Sequence, residues 1–268
     1  MDAGLRLRLN SVINKADARS VIIAMDHAAI AGPITGLIDP AALVKICTEE
    51  QVDALLTTKG SVDASVNQWD RQTSLILRLT GGFTVLGGSF QEELVVEPET
   101  ALVYGASCAA ITVKFGHEME GKFIRQASLA IDRCHALGLP VMVEALVRGT
   151  QDGKPVDPQD PIAIAMAARM AAEIGADLVK TWYTGTIESF HTVVMGCPVP
   201  VMILGGATTH SLRDLFQHVA DSLEAGGAGI AMGRNIWQQE QTALVIRAMN
   251  GLVHRHWSVT EACDTVGA

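Results

Sequence analysis

The chain has 268 residues, 49% of them hydrophobic, and a formal net charge of −9. That apolar content can fill a large core, and α/β barrels of about 250 residues commonly form one domain. With no Lys/Arg-rich run, the acidic balance excludes a nucleic-acid or anionic-membrane surface, so any phosphate it binds is expected to be small.

From the N-terminus, Met1 to Lys15 alternates Leu with Arg and has neither a long apolar core nor a small-residue cleavage site, so it does not read as a secretory signal. No stretch approaches the roughly 18 apolar residues of a membrane span. The five cysteines (Cys47, Cys108, Cys134, Cys197, Cys263) are scattered and contain no C-x-x-C, which suggests neither a disulfide framework nor a zinc knuckle. A soluble protein of the reducing cytoplasm is expected.

Eight short apolar runs follow in order: Val21–Asp26, Asp53–Thr57, Phe83–Gly87, Ala109–Phe115, Pro140–Leu146, Asp177–Thr181, Val199–Leu204 and Gly229–Gly233. Most are separated by a helical pattern, such as Asp160–Gly175 and Ser211–Gly226, and strand–helix alternation predicts a parallel sheet. Gly138, Gly175 and Gly226 each follow helix formers where a left-handed C-terminal residue is expected. An open doubly wound sheet usually has five or six strands, whereas eight units close a (β/α)8 TIM barrel. The expectation is a single barrel domain over residues 1–268, with an N-terminal segment capping the floor and one or two helices in the tail Gln239–Cys263.

In such a barrel the active site lies at the carboxyl ends of the strands. Lys180 ends the run Ala176-Asp177-Leu178-Val179-Lys180 and is the leading candidate. An apolar barrel interior would disfavour its ammonium form, as a Schiff-base nucleophile requires. Asp26 and His27 close the first run, Lys59 follows the second, Lys114 closes the fourth, and Glu144 and Arg148 the fifth. Strand parity puts Asp26 on the face of Ala24, Lys114 on that of Thr112, Glu144 on that of Met142 and Lys180 on that of Leu178. All four are expected to point inward, with Glu144 bridging Lys114 and Lys180. A buried ion pair without chemical role explains Lys114 and Glu144 equally well.

Leu204-Gly205-Gly206 and Gly233-Arg234 occupy the loops after strands seven and eight, where barrels often seat phosphate on backbone N–H groups. Arg234 would add a charge-assisted donor. The histidines show no paired ligand spacing except His254-x-His256, which is expected to face solvent, so neither a metal nor another cofactor is expected. Gly81-Gly82 and Gly87-Gly88 do not form G-x-G-x-x-G and read as turns.

The segments Met25-Asp26-His27, Gly32-Pro33, Gly36-Leu37, Lys59-Gly60, Gly175–Thr181 with Tyr183-Thr184-Gly185, Gly196-Cys197-Pro198 to Gly205-Gly206, and Gly229 to Ile236 span nearly the whole chain. In them the sequence resembles the archaeal-type class I fructose-bisphosphate aldolases, a family that includes aminodideoxyheptulosonate synthases and a phospho-diketone thiolase. The resemblance implies that Lys180 is the Schiff-base lysine, that Asp26 is an acid/base residue near the imine, and that the two glycine loops with Arg234 hold phosphate. It also implies a ring-shaped homo-oligomer acting on a phosphorylated keto-sugar or diketone.

One departure stands out. Aldolases of this family carry a proton-donor tyrosine two residues before the Arg-Gly that follows strand five, and this chain has Leu146 there, before Val147-Arg148-Gly149. Chemistry still needs a proton relay. Glu144 is the best local substitute, with Asp26 or Tyr183 sharing the task. The thiolase branch also lacks that tyrosine, so acyl transfer from a phosphorylated diketone stays open, as does a non-catalytic sugar-phosphate binder.

Overall fold

The computed structural model describes residues 3–87, 91–151, 154–205 and 211–268, without the side chains of residues 150, 151, 154 and 155. Eight parallel strands close a barrel in the spatial order β1-β8-β7-β6-β5-β4-β3-β2. They are β1 (Ser20–Ala24), β2 (Ala54–Thr57), β3 (Ser74–Arg78), β4 (Cys108–Phe115), β5 (Val141–Val147), β6 (Leu178–Thr181), β7 (Val201–Ile203) and β8 (Gly229–Met232). The strands are apolar at nearly every position because both faces are buried, one in the barrel and one under helices.

The helices are α1 (Ala3–Val12), α2 (Ala28–Ala31), α3 (Pro40–Glu49), α4 (Lys59–Ser65), α5 (Pro98–Val103), α6 (Glu120–Ala136), α7 (Pro161–Glu173), α8 (Ile187–Gly196), α9 (Leu212–Glu224), α10 (Arg234–Trp237), α11 (Thr242–His254) and α12 (Val259–Val266). Their starts follow local chemistry. Asp39, Asp160, Thr186 and Ser211 cap α3, α7, α8 and α9 through side-chain oxygens, and Ser258 with Glu261 forms a capping box on α12. Gly138, Gly175 and Gly226 have φ of +68°, +104° and +98°, so the three expected left-handed stops are present. α1 lies at the amino ends of the strands, where Ser11 and Val12 carbonyls accept from the Ser74 and Ser20 hydroxyls at 2.7 Å.

One strand differs from the sequence expectation. The third is Ser74–Arg78, not Phe83–Gly87. A barrel strand must be buried on both faces, and Val85 and Leu86 are 71% and 95% exposed. Phe83–Gly87 instead sits in an excursion whose base pairs Thr80–Gly81 antiparallel to Glu93–Leu94. The other seven strands lie within two residues of expectation.

Two apolar clusters divide the core. The inner one fills the lower barrel with Ile22, Ala24, Ile76, Ala110, Met142, Leu178 and Met202, plugged from below by Val12. The larger one lies between strands and helices, with β-strand residues such as Ile23, Val143 and Val179 against Phe190, Phe216 and Ile131. At the seam between first and last strand, Ser20 pairs with Gly229. A Cβ on Gly229, whose φ is +115°, would lie 2.0 Å from the Ser20 carbonyl oxygen, so only glycine closes the ring there.

Candidate active site

Continuing each inward-facing row upward from the inner cluster gives the site. Ile22 and Ala24 lead to Asp26, Ile76 to Arg78, Ala110 to Thr112 and Lys114, Met142 to Glu144 and Leu146, and Leu178 to Lys180. The register sets Lys180 opposite Glu144 and Glu144 opposite Thr112, so three neighbouring strands deliver polar groups at one height. Parity read from sequence therefore holds for all four charged residues.

Lys180 Nζ lies 2.7 Å from Glu144 Oε1. Glu144 Oε2 accepts from the Thr112 hydroxyl, also at 2.7 Å. Arg78 occupies the centre: one guanidinium nitrogen holds Asp26 and lies 3.9 Å from Glu144, while the other donates to Glu92 and Thr112 at 3.0 Å. Three carboxylates thus share one guanidinium. Buried ions of this density are tolerable only when paired, since an isolated one costs several kcal/mol, on the order of the penalty for removing an ion from water.

The pairing separates the carboxyl groups. Burial alone would push Asp26 up, but Arg78, with His27 and Lys180, holds it well below the usual carboxylate range. Glu144 also lies below its ordinary value, because Lys180 and Arg78 together outweigh its burial. Glu92 goes the other way: burial raises it, Glu144 adds to the rise, and Arg78, Lys114 and the Thr80 hydroxyl only partly oppose it. Lys114, fully buried, is pushed down to about 8 by desolvation, against the pull of Glu92.

These groups, except Lys114, which lies outside the lining, floor a cavity of about 260 Å³. Asp26, His27, Arg78, Glu92, Glu144 and Lys180 line it, and Arg148, Gly205, Gly233 and Arg234 complete its wall. His27 Nδ1 is 3.7 Å from Asp26. Gly205 and Gly233 meet through α10: Asn235 donates to the Gly205 carbonyl at 2.7 Å, and Trp237 Nε1 donates to the Ala24 carbonyl at 2.9 Å. A Cβ on Gly233 would stand 2.4 Å from that same carbonyl oxygen, so the close approach of the last loop to β1 requires glycine.

Five sequence expectations come out differently. Lys180 stands in a lattice of charged and hydroxyl groups, not in an apolar sleeve, because β4 and β5 carry Thr112 and Glu144 at its level. Glu144 does not bridge Lys114 and Lys180; among the described residues the carboxylate paired with Lys114 is Glu92, at 3.8 Å, and Phe83 lies 4.5 Å from its ammonium. Lys114 is one inward position above Glu144, opposite Leu146, which explains the different partner. Tyr183 is not in the cavity wall. Its hydroxyl reaches toward Asp221 at 3.4 Å and its ring packs on Phe190 and His218, beyond the strand end where parity turns it into the helix layer. Trp182 lines the cavity instead.

Lys59 opens α4 as an exposed residue outside the cavity wall, because the chain has already turned into the helix there. Gly206 lies outside the described residues. His254 does not face solvent: it sits between Asp17 and Asp53 at 2.6 and 2.9 Å, and only His256 of that pair is exposed. Sequence reasoning missed Arg78 and Glu92. The apolar run Ser74–Leu77 closing on Arg78 was the available signal for the first; the second carries none.

Comparison with known proteins agrees with this architecture. The model of the DeoC/LacD family aldolases matches residues 20–239. The chain is 30% identical over 98% of its length to a 2-amino-4,5-dihydroxy-6-oxo-7-(phosphonooxy)heptanoate synthase of Streptomyces griseus, covering 94% of that protein. It is also 30% identical, again over 98% of its length and 87% of the relative, to a 3-hydroxy-5-phosphonooxypentane-2,4-dione thiolase of Photorhabdus laumondii. Among solved structures, an archaeal fructose-1,6-bisphosphate aldolase with its catalytic lysine bound to a carbinolamine intermediate superposes with a TM-score of 0.84 at 30% identity, covering 93% of this chain and 99% of that one. The chain belongs to the DeoC/LacD aldolase family.

Proposed function

We propose that the protein is a class I aldolase in which Lys180 forms a Schiff base with the ketone of a phosphorylated keto-sugar, and the enzyme makes or breaks the adjacent C–C bond. The observation that carries this reading is the buried Lys180 ammonium 2.7 Å from Glu144 at the floor of a cavity rimmed by Arg148 and Arg234. Glu144, held in its ionised form, accepts the proton that Lys180 must lose to attack a carbonyl. Asp26, kept ionised by Arg78, supports positive charge as the imine develops and moves protons on the imine side. Gly205, Gly233, Arg234, Arg148 and His27 hold the phosphate and hydroxyl groups at the rim.

A second reading is acyl transfer from a phosphorylated diketone. Leu146 favours it, because an apolar side chain occupies the wall next to Arg148 where the aldolase resemblance leads one to expect a proton-donating tyrosine. The names of two relatives, a synthase and a thiolase, both contain a phosphonooxy group, which supports a phosphorylated ligand under either reading. The proposal extends to a cytoplasmic homo-oligomer, as the family resemblance implies, and sedimentation measures the subunit number.

Intact mass after sodium borohydride with dihydroxyacetone phosphate and a panel of phosphorylated ketoses and diketones tests the reading. A reduced adduct is expected on the wild type and is expected to vanish in Lys180→Ala. Glu144→Gln should slow trapping about 100-fold, the usual scale for losing a positioned base. Tight binding of a ligand that is never trapped would point instead to a non-catalytic sugar-phosphate barrel.

A further inference from the structure

We infer that Glu92 is the general acid of this site, donating a proton to the ketone oxygen as Lys180 attacks and again as the carbinolamine loses water. The inference rests on Lys180 being the imine-forming residue. Glu92 lies in the excursion after β3, two residues before Leu94 of the short ribbon, and is almost completely buried yet forms part of the cavity wall. Its two oxygens differ. Oε1 accepts from Arg78 at 3.0 Å and lies 3.8 Å from Lys114, whereas Oε2 is buried and makes no well-formed hydrogen bond among the described residues. The neighbouring Thr80 hydroxyl accepts from the Thr112 amide at 3.0 Å and can turn its own proton toward Glu92, which favours the ionised carboxylate, but burial outweighs it. A buried carboxyl oxygen without a partner is costly unless it carries a proton or receives one from a ligand.

The same guanidinium that engages Oε1 also touches Asp26 and Thr112, so Glu92 is fixed relative to Glu144 and Lys180 through Arg78. Environments that drive two carboxyl groups apart assign them opposite duties. Glu144 is stabilised as the base and Glu92, raised by burial, as the acid. The proton balance then closes. Lys180 gives one ammonium proton to Glu144, and its nitrogen forms a bond to the ketone carbon while the C=O π pair moves to oxygen and takes the Glu92 proton. Glu144 then releases that first proton to restore the Glu92 carboxyl and takes the second proton from nitrogen, leaving a neutral carbinolamine. In dehydration the C–O bond breaks, that oxygen takes the Glu92 proton and leaves as water, and the nitrogen lone pair forms C=N. With Leu146 offering no proton, Glu92 supplies what the neighbouring strand does not.

The test is the rate of borohydride trapping with dihydroxyacetone phosphate, followed by intact mass. Glu92→Gln keeps an oxygen for Arg78 but has no acidic proton, and is expected to trap about 100-fold more slowly than wild type while reaching the same adduct mass. Glu92→Ala should be equally slow and should recover when formate is added to fill the space and supply the proton. Trapping by Glu92→Gln within twofold of wild type, or a slow Glu92→Ala that ignores formate, would overturn the assignment while leaving Lys180 intact. No adduct on the wild type with any keto phosphate would instead overturn the Schiff-base reading, and the Glu92 role with it.

Discussion

The lower and upper halves of the barrel interior are built from the same strands and the same inward parity, yet they obey opposite rules. Below, Ile22, Ile76, Ala110, Met142, Leu178 and Met202 make an apolar plug that holds no charged side chain among the described residues. One or two positions further along those strands, Asp26, Arg78, Thr112, Glu144 and Lys180 form a closed network of ion pairs and hydrogen bonds. The contrast teaches that the plug can be stable by itself, while each charged group above it is tolerable only through the others. Stability and reactivity should therefore separate by height along a strand.

The sharpest way to break the comparison is Arg78→Ala. It leaves Asp26, Glu92 and Glu144 without their shared partner, and loss of about 3–5 kcal/mol of unfolding free energy in urea is expected, together with loss of borohydride trapping. Leu178→Ala, two residues below Lys180 on the same face, should cost about 2–5 kcal/mol by opening a cavity in the plug, with the trapping rate of the folded fraction within a few-fold of wild type. If that variant lost reactivity as fully as Arg78→Ala, the two halves would be one unit.

Smaller effects refine the picture. Gly233→Ala forces a Cβ against the Ala24 carbonyl and should cost roughly 1–3 kcal/mol, with weaker binding of inorganic phosphate by calorimetry. At the floor, His254 lies above its ordinary value because its bonds to Asp53 and Asp17 outweigh its burial. A raised folded value means its contribution is complete below the unfolded pKa of about 6.5 and is lost as pH rises through the higher folded value. The melting temperature of the wild type is thus expected to fall relative to His254→Gln across that window. Lys59→Ala should change stability by less than about 0.5 kcal/mol and leave trapping unchanged, since the side chain is exposed and outside the cavity.

Much of this site was legible because barrel geometry turns a strand's last inward residue into a wall residue. Lys180, Glu144 and Asp26 could be placed by counting in twos from apolar neighbours. Arg78 was lost with its strand: glycine pairs around Phe83–Gly87 imitate the boundaries of a buried run, and only the exposure of Val85 and Leu86 reveals a loop. Glu92 had no periodicity to betray it, since the excursion that brings it over the barrel has short ribbon pairing and no repeated pattern. Tyr183 failed by one residue, Trp182 taking the cavity side. The fold, written in repeated local patterns, survives such slips. A site depends on single positions and does not.

The pairing of Ser20 with Gly229 has a consequence for birth on the ribosome. β1 emerges early, and the strand that covers its second edge is the last of the eight to be made. For many seconds of synthesis, at ordinary elongation rates, β1 must wait with one row of amides and carbonyls open to any other strand that passes. In the finished barrel the Ser20 hydroxyl ties the first residue of that strand to the end of α1. The tightest glycine contact in the ring is therefore also the point at which a nascent chain stops being adhesive and becomes an enzyme.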